Sequence, residues 1–157
     1  GGDWVARTGA WAWRHDLTAR ARGLLTAGVG ACLIPAFATY SPADPSWNAS
    51  SAEPPSNLLG GFGAVVADMG LQSLGLGAWI AALLMLALGL HRAFDPRPSE
   101  ARRVLRRRAL MGVLGLLLLS AVLAAPTPPA LWPLAEGLGG LLGERLLTGT
   151  TALVAMT

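Results

Sequence analysis

The stretch YSPADPSWNASSAEPPSNLLGGFG, residues 40–63, decides how the rest of the chain is read. It holds neither lysine nor arginine, and Pro42, Pro45, Pro54 and Pro55 exclude a long helix before Ser56. Asp44-Pro45 opens a turn, because the carboxylate bonds nearby backbone and proline presets φ. Asn57 is then placed to cap a helix that begins with Gly60, Gly61 and Gly63. On either side the chain turns apolar. Residues 23–43 and 70–90 are each an uncharged run of about 20 residues, long enough for a hydrocarbon core of roughly 30 Å. The stretch reads as a solvent-side loop joining two membrane spans.

Working outward, residues 109–125 form a third apolar run and residues 147–157 open a fourth, incomplete one. Hydrophobic residues make up 53% of the 157 and charged residues only 13%, against roughly a quarter in average domains. All twelve basic residues are arginine, and they cluster. Arg20 and Arg22 precede the first run; Arg102, Arg103, Arg106, Arg107 and Arg108 precede the third. The positive-inside rule therefore assigns 1–22 and 91–108 to the cytoplasm, and 41–56 and 126–136 to the outside. These seven arginines are candidate contacts for anionic lipid headgroups. A pI near 10.4 would also suit nucleic acid, but the arginines sit where cytoplasmic loops need them. Trp4, Trp11 and Trp13 beside Arg7 and Arg14 make residues 1–22 an interfacial segment.

The expected architecture is an all-α membrane protein with four transmembrane helices in residues 23–157. The two halves match as parallel helix–loop–Gly-Gly-helix repeats. Each run ends in a proline-containing loop with one tryptophan, Trp47 or Trp132. Each loop leads to Leu-Gly-Gly, at Leu59–Gly61 and Leu138–Gly140. The small residues Gly60, Gly61 and Ala64 recur as Gly139, Gly140 and Gly143, and both sets are expected to pack closely on other backbones. Gly28, Gly30 and Ala31 offer a similar face in the first span. Cys32 has no disulfide partner and reads as a small core residue. Asp68 lies near a span interior, either as a functional acid or as a helix–helix contact. The chain begins without methionine and ends inside an apolar run, as a piece of a longer protein would.

No constellation for catalysis stands out. Without lysine no Gly-x-x-x-x-Gly-Lys phosphate loop exists, and His15 and His91 lack partners at catalytic or metal spacing. The segment is expected to be no enzyme, to hold no cofactor or metal, and to touch no nucleic acid directly.

Asp44-Pro45-Ser46-Trp47 and Asn57-Leu58-x-Gly60-Gly61-x-Gly63, followed at once by a span, resemble the first external loop of the membrane anchor of FtsK/SpoIIIE-type DNA translocases. The resemblance extends over about residues 20–157. It implies a multi-pass anchor in the bacterial inner membrane, at the division septum, with cytoplasmic termini. It also implies contacts with divisome membrane proteins and self-association. The family's ATP- and Mg-dependent DNA motor follows the anchor in the full-length protein. Two other classes fit the composition: a small two-repeat transporter subunit, lined by Asp68, Gln72, Glu144 and Arg145, or a membrane scaffold unrelated to DNA.

Overall fold

The structure, a computed structural model, describes residues 15–46, 54–94, 102–130, 132, 134 and 136–155. The expected interfacial segment up to Arg14, the loop tryptophan Trp47 and the loop 95–101 lie outside the described residues. Among the described residues five helices follow one another: α1 (Asp16–Ala38), α2 (Gly60–Leu74), α3 (Leu76–Phe94), α4 (Arg102–Leu123) and α5 (Gly140–Ala155).

His15 caps α1, its Nδ1 accepting the Leu17 N–H at 3.3 Å, and Asp16 in the first turn suits the positive end of the helix dipole. The helix runs through Pro35. It closes where the Thr39 N–H and hydroxyl both donate to the Pro35 carbonyl, at 3.0 and 2.7 Å.

α1 and α3 lie antiparallel, with their backbones touching through small residues. A Cβ added to Gly30 would sit 2.5 Å from the Leu86 amide nitrogen and 2.7 Å from the Ala82 carbonyl oxygen. One added to Gly23 would sit 2.7 Å from the Ala93 nitrogen, and one on Gly89 would strike the backbone of Ala27. At the other end the Phe37 and Trp79 rings meet edge to face, centroids 5.7 Å apart. The face expected at Gly28, Gly30 and Ala31 is therefore rotated. Gly30 is in it, but Gly28 meets nothing within 4 Å and Ala31 is exposed. Cys32 is exposed too, not a core residue.

α1 and α3 are long and apolar enough to cross a membrane, and only 28% of each apolar window is buried. The core helix of a water-soluble protein would be mostly covered. Here Leu25 is 71% and Leu88 62% exposed on the outward faces. Helices apolar on both inward and outward faces belong in lipid.

Helix boundaries differ from the sequence reading in two places. The second apolar run does not start a helix at Gly70. Its break falls at Gly75, with φ 57° and ψ −130°, a conformation that favours glycine. The third run begins earlier, since α4 extends back through Arg106–Arg108 to Arg102. The last helix starts at Gly140, where the Gly-Gly pattern places it, and runs without a break into the expected fourth span as far as Ala155. The two Gly-Gly starts share a local geometry, φ +65° at both Gly60 and Gly140. The sequence pairing matched Gly60 with Gly139, whereas the shared backbone conformation falls at Gly60 and Gly140, one residue away.

Candidate functional site

The 40–63 stretch folds back on the end of α1 through two buried polar side chains. Ser41 and Asp44 close a turn by the Asp44 N–H donating to the Ser41 carbonyl at 3.1 Å. The Asp44 carboxylate then accepts the Ser56 N–H (2.8 Å), the Ser56 hydroxyl (2.8 Å) and the Asn57 N–H (3.0 Å). These donors favour the ionised form. Led by the Ser56 N–H, and against the opposing effect of burial, they hold the Asp44 carboxyl below its ordinary pKa.

Asn57 is not the cap of α2. Its Nδ2 donates to the Ala36 and Thr39 carbonyls, at 2.8 and 3.3 Å, satisfying oxygens that the end of α1 leaves without helical partners. Its Oδ1 accepts the Leu59 N–H at 3.1 Å. Helix α2 starts at Gly60 after Leu59, which makes no side-chain cap bond. Gly63 is explained by the same amide, because a Cβ there would collide with Asn57 Oδ1 and lie 2.5 Å from Leu59 Cβ. Asp44, Asn57 and Gly63 thus form one unit, with Asn57 4% exposed. Pro45 and Ser46 are half-buried beside it.

The other motif glycines divide. Among the described residues Gly60 meets nothing within 4 Å, and Gly61 meets only the Pro55 ring, at 4.0 Å. They correct the expected stripe: Gly60 serves a left-handed backbone and Gly61 is exposed, while Ala64 is buried. Gly139, Gly140 and Gly143 all lie against protein. Gly139 and Gly143 abut the Ser120 carbonyl, and a Cβ on Gly140 would sit 2.6 Å from the Gly75 nitrogen.

Ser120 was not singled out in the sequence, although it is the one hydroxyl in the run LLLLSAVL. It is fully buried where α2, α3, α4 and α5 meet. Its hydroxyl donates to the Leu74 carbonyl at 3.3 Å, and Gly77 leaves room for it. Beside it the Leu76 N–H donates to the Leu138 carbonyl at 2.9 Å.

Asp68 is buried in a helix–loop contact, where Oδ1 accepts the Tyr40 hydroxyl at 3.2 Å and the Gln72 amide. Glu144 and Arg145, the other groups considered for a transport path, are exposed on α5. Arg20, Arg106, Arg107 and Arg108 are exposed and Arg22 is half-buried, while the side chains of Arg102 and Arg103 lie outside the described residues. Among the described residues no group of three His, Cys, Asp or Glu is placed to hold a metal.

A polytopic helical bundle with lipid-type outer faces and a structural polar junction defines a membrane domain. Its family follows from residues 16–157, which match the 4TM region of DNA translocase FtsK/SpoIIIE, and the chain belongs to that family. It is 53% identical over 143 residues to the DNA translocase FtsK of Caulobacter vibrioides, covering 91% of this chain and 18% of that protein. It is 37% identical to the DNA translocase FtsK of Rhizobium meliloti, over 86% of this chain and 15% of that protein. The corresponding protein of Azospirillum brasilense is 36% identical over 90% of this chain and 22% of its own length. The chain thus spans about a fifth of the length of these relatives. No solved structure matches it.

Proposed function

We propose that this segment is the membrane anchor and assembly platform of a DNA translocase acting in cell division and chromosome segregation. The observation that carries the reading is the family match together with the α1–α3 pair, whose backbones touch on one side and whose other faces are apolar. In this reading α1, α3, α4 and α5 are four passes through the bacterial inner membrane, built as two parallel repeats with both ends cytoplasmic. The arginine clusters lie against anionic headgroups on that side. The segment itself neither hydrolyses ATP nor grips DNA. ATP and Mg belong to the motor of the full-length protein. Its partners are the bilayer, further copies of itself and membrane proteins of the division site. Tethering has a physical use, because confining motor subunits to a membrane patch raises their effective concentration for assembly.

The test is a fusion of this chain to a fluorescent protein, without the motor, in dividing cells of its native host. Concentration at midcell is expected. Uniform membrane fluorescence from an intact, inserted fusion would reduce the reading to a general membrane tether.

A further inference from the structure

α2 runs in a different direction from the helices around it. From Trp79 to Ala93, α3 tracks α1 all the way from Phe37 back to Gly23. α2 meets residues 36–40, at the end of α1, twice: through the turn that leads into it and again past its middle. On its N-terminal side Asn57 bonds the Ala36 and Thr39 carbonyls, and the Leu58 N–H donates to Thr39 Oγ1 at 3.0 Å. On its C-terminal side Asp68 meets Tyr40, and a Cβ on Gly70 would lie 3.1 Å from the Phe37 ring. Gly60 to Gly70 rises about 15 Å along α2, whereas residues 36–40 span only about 6 Å of α1. A helix that meets the same short segment just before its first turn and again past its middle lies across it. The contacts with Ala36 and Phe37 place α2 beside the last turn of α1, so its free face points sideways.

The level of that turn is marked by aromatic residues. Tyr40, Trp79 and Trp132 all pack there, half-buried, around the Phe37 cluster, and such residues collect at membrane–water boundaries. At the opposite end, the Gly23–Ala93 contact sets Arg22 and Arg92 together. The 18 residues from Arg22 to Tyr40 rise about 27 Å, close to the thickness of a hydrocarbon core. The outward face of α2 carries Phe62, 79% exposed, and Met69, 56% exposed. The sole charged residue of α2, Asp68, is turned inward and buried.

We propose that α2 is an interfacial helix lying along the bilayer surface on the Asp44 side, its Phe62–Met69 face in the boundary between lipid headgroups and acyl chains. The bilayer is then crossed between α2 and the 95–101 loop by α3 alone, and the Gly75 break is where the chain turns from the surface into the core. This rests on the membrane reading above and adds a lipid-binding surface to it.

The test reconstitutes the full chain, in a Cys32→Ala background, in vesicles of phosphatidylethanolamine and phosphatidylglycerol. Single nitroxide labels are placed at Phe62→Cys and Met69→Cys on α2, and at Leu83→Cys and Leu90→Cys on α3. All four positions are exposed, and each pair is seven residues apart. Depth is read from relaxation by oxygen against a water-soluble nickel chelate. Positions 62 and 69 are expected at equal, shallow depth, and positions 83 and 90 about 10 Å apart in depth. A separation of about 10 Å between 62 and 69 would make α2 part of a span and overturn the proposal. Equal but deep values would overturn it also, and equal, fully aqueous values would assign the face to a protein partner instead. If the Phe62 variant does not fold, Leu59→Cys, in the turn just before α2, supplies the second depth. Water-exposed labels at 83 and 90 would instead refute the membrane reading itself.

Discussion

Gly28 and Gly30 are two residues apart on the same helix and are predicted to respond oppositely to alanine. At Gly30 the new Cβ would stand 2.5 Å from the Leu86 nitrogen and 2.7 Å from the Ala82 oxygen. Both are backbone atoms, so no rotamer change relieves the contact, and α1 and α3 must part by about 1 Å to restore ordinary separation. A gap of that size forfeits about a quarter to a half of the dispersion energy at each touching atom pair. Overpacking of this kind typically costs about 1–3 kcal/mol. At Gly28 nothing lies within 4 Å, and the only effect is the better helix propensity of alanine, a gain of up to about 1 kcal/mol. Because the propensity gain applies at both positions of the helix, the two variants should differ by the overpacking alone, about 1–3 kcal/mol. Reversible unfolding in mixed micelles with increasing dodecyl sulfate, followed by circular dichroism, measures the difference. Equal stability of Gly28→Ala and Gly30→Ala would refute the claim that backbone contact through small residues joins α1 to α3.

Ser120→Ala should cost only about 1 kcal/mol, the worth of its bond to the Leu74 carbonyl. Ser120→Leu should cost about 3 kcal/mol, since the side chain is fully buried with its hydroxyl against Gly77; similar midpoints for the two variants in the same unfolding assay would count against the junction. Asp44 gives a pH dependence. Its folded-state pKa is lowered, so its stabilisation of the loop is present above the ordinary carboxylate pKa and is lost as pH falls through the lowered value. Exchange of the Ser56 and Asn57 amide protons should rise on acidification relative to helix amides. In Asp44→Asn that additional acid sensitivity should disappear, and its persistence would remove Asp44 as the cause.

The long helices α1 and α3 are legible from uncharged run lengths, because a bilayer demands about 20 apolar residues wherever a helix crosses it. The motif residues Asp44, Asn57 and Gly63 were recognisable as a set, but their reason was not. A cap next to its own helix is a local pattern, whereas Asn57 bonds carbonyls some 20 residues earlier in the chain. Glycine was the least legible residue. In sequence, Gly28 and Gly30 look alike, as do Gly60 and Gly63. What separates them is helix phase relative to a neighbour whose position no local pattern gives, or a left-handed φ that leaves no mark on composition. Ser120 was missed for a related reason: one hydroxyl among leucines is ordinary in a membrane helix, and its importance comes from three distant glycines.

The hydrogen bond from the Leu76 N–H to the Leu138 carbonyl belongs to the backbone on both sides. Apart from proline at position 76, no exchange of side chain can delete its donor or acceptor. Positions 76 and 138 are thus free to drift independently as sequences diverge, and correlated substitution between them would carry no trace of the bond. The constraint is displaced onto Gly75 and Gly140, whose bare backbones let the strands of chain come this near. A survey of substitutions would find this bond silent at the residues that make it and strict at the residues beside them.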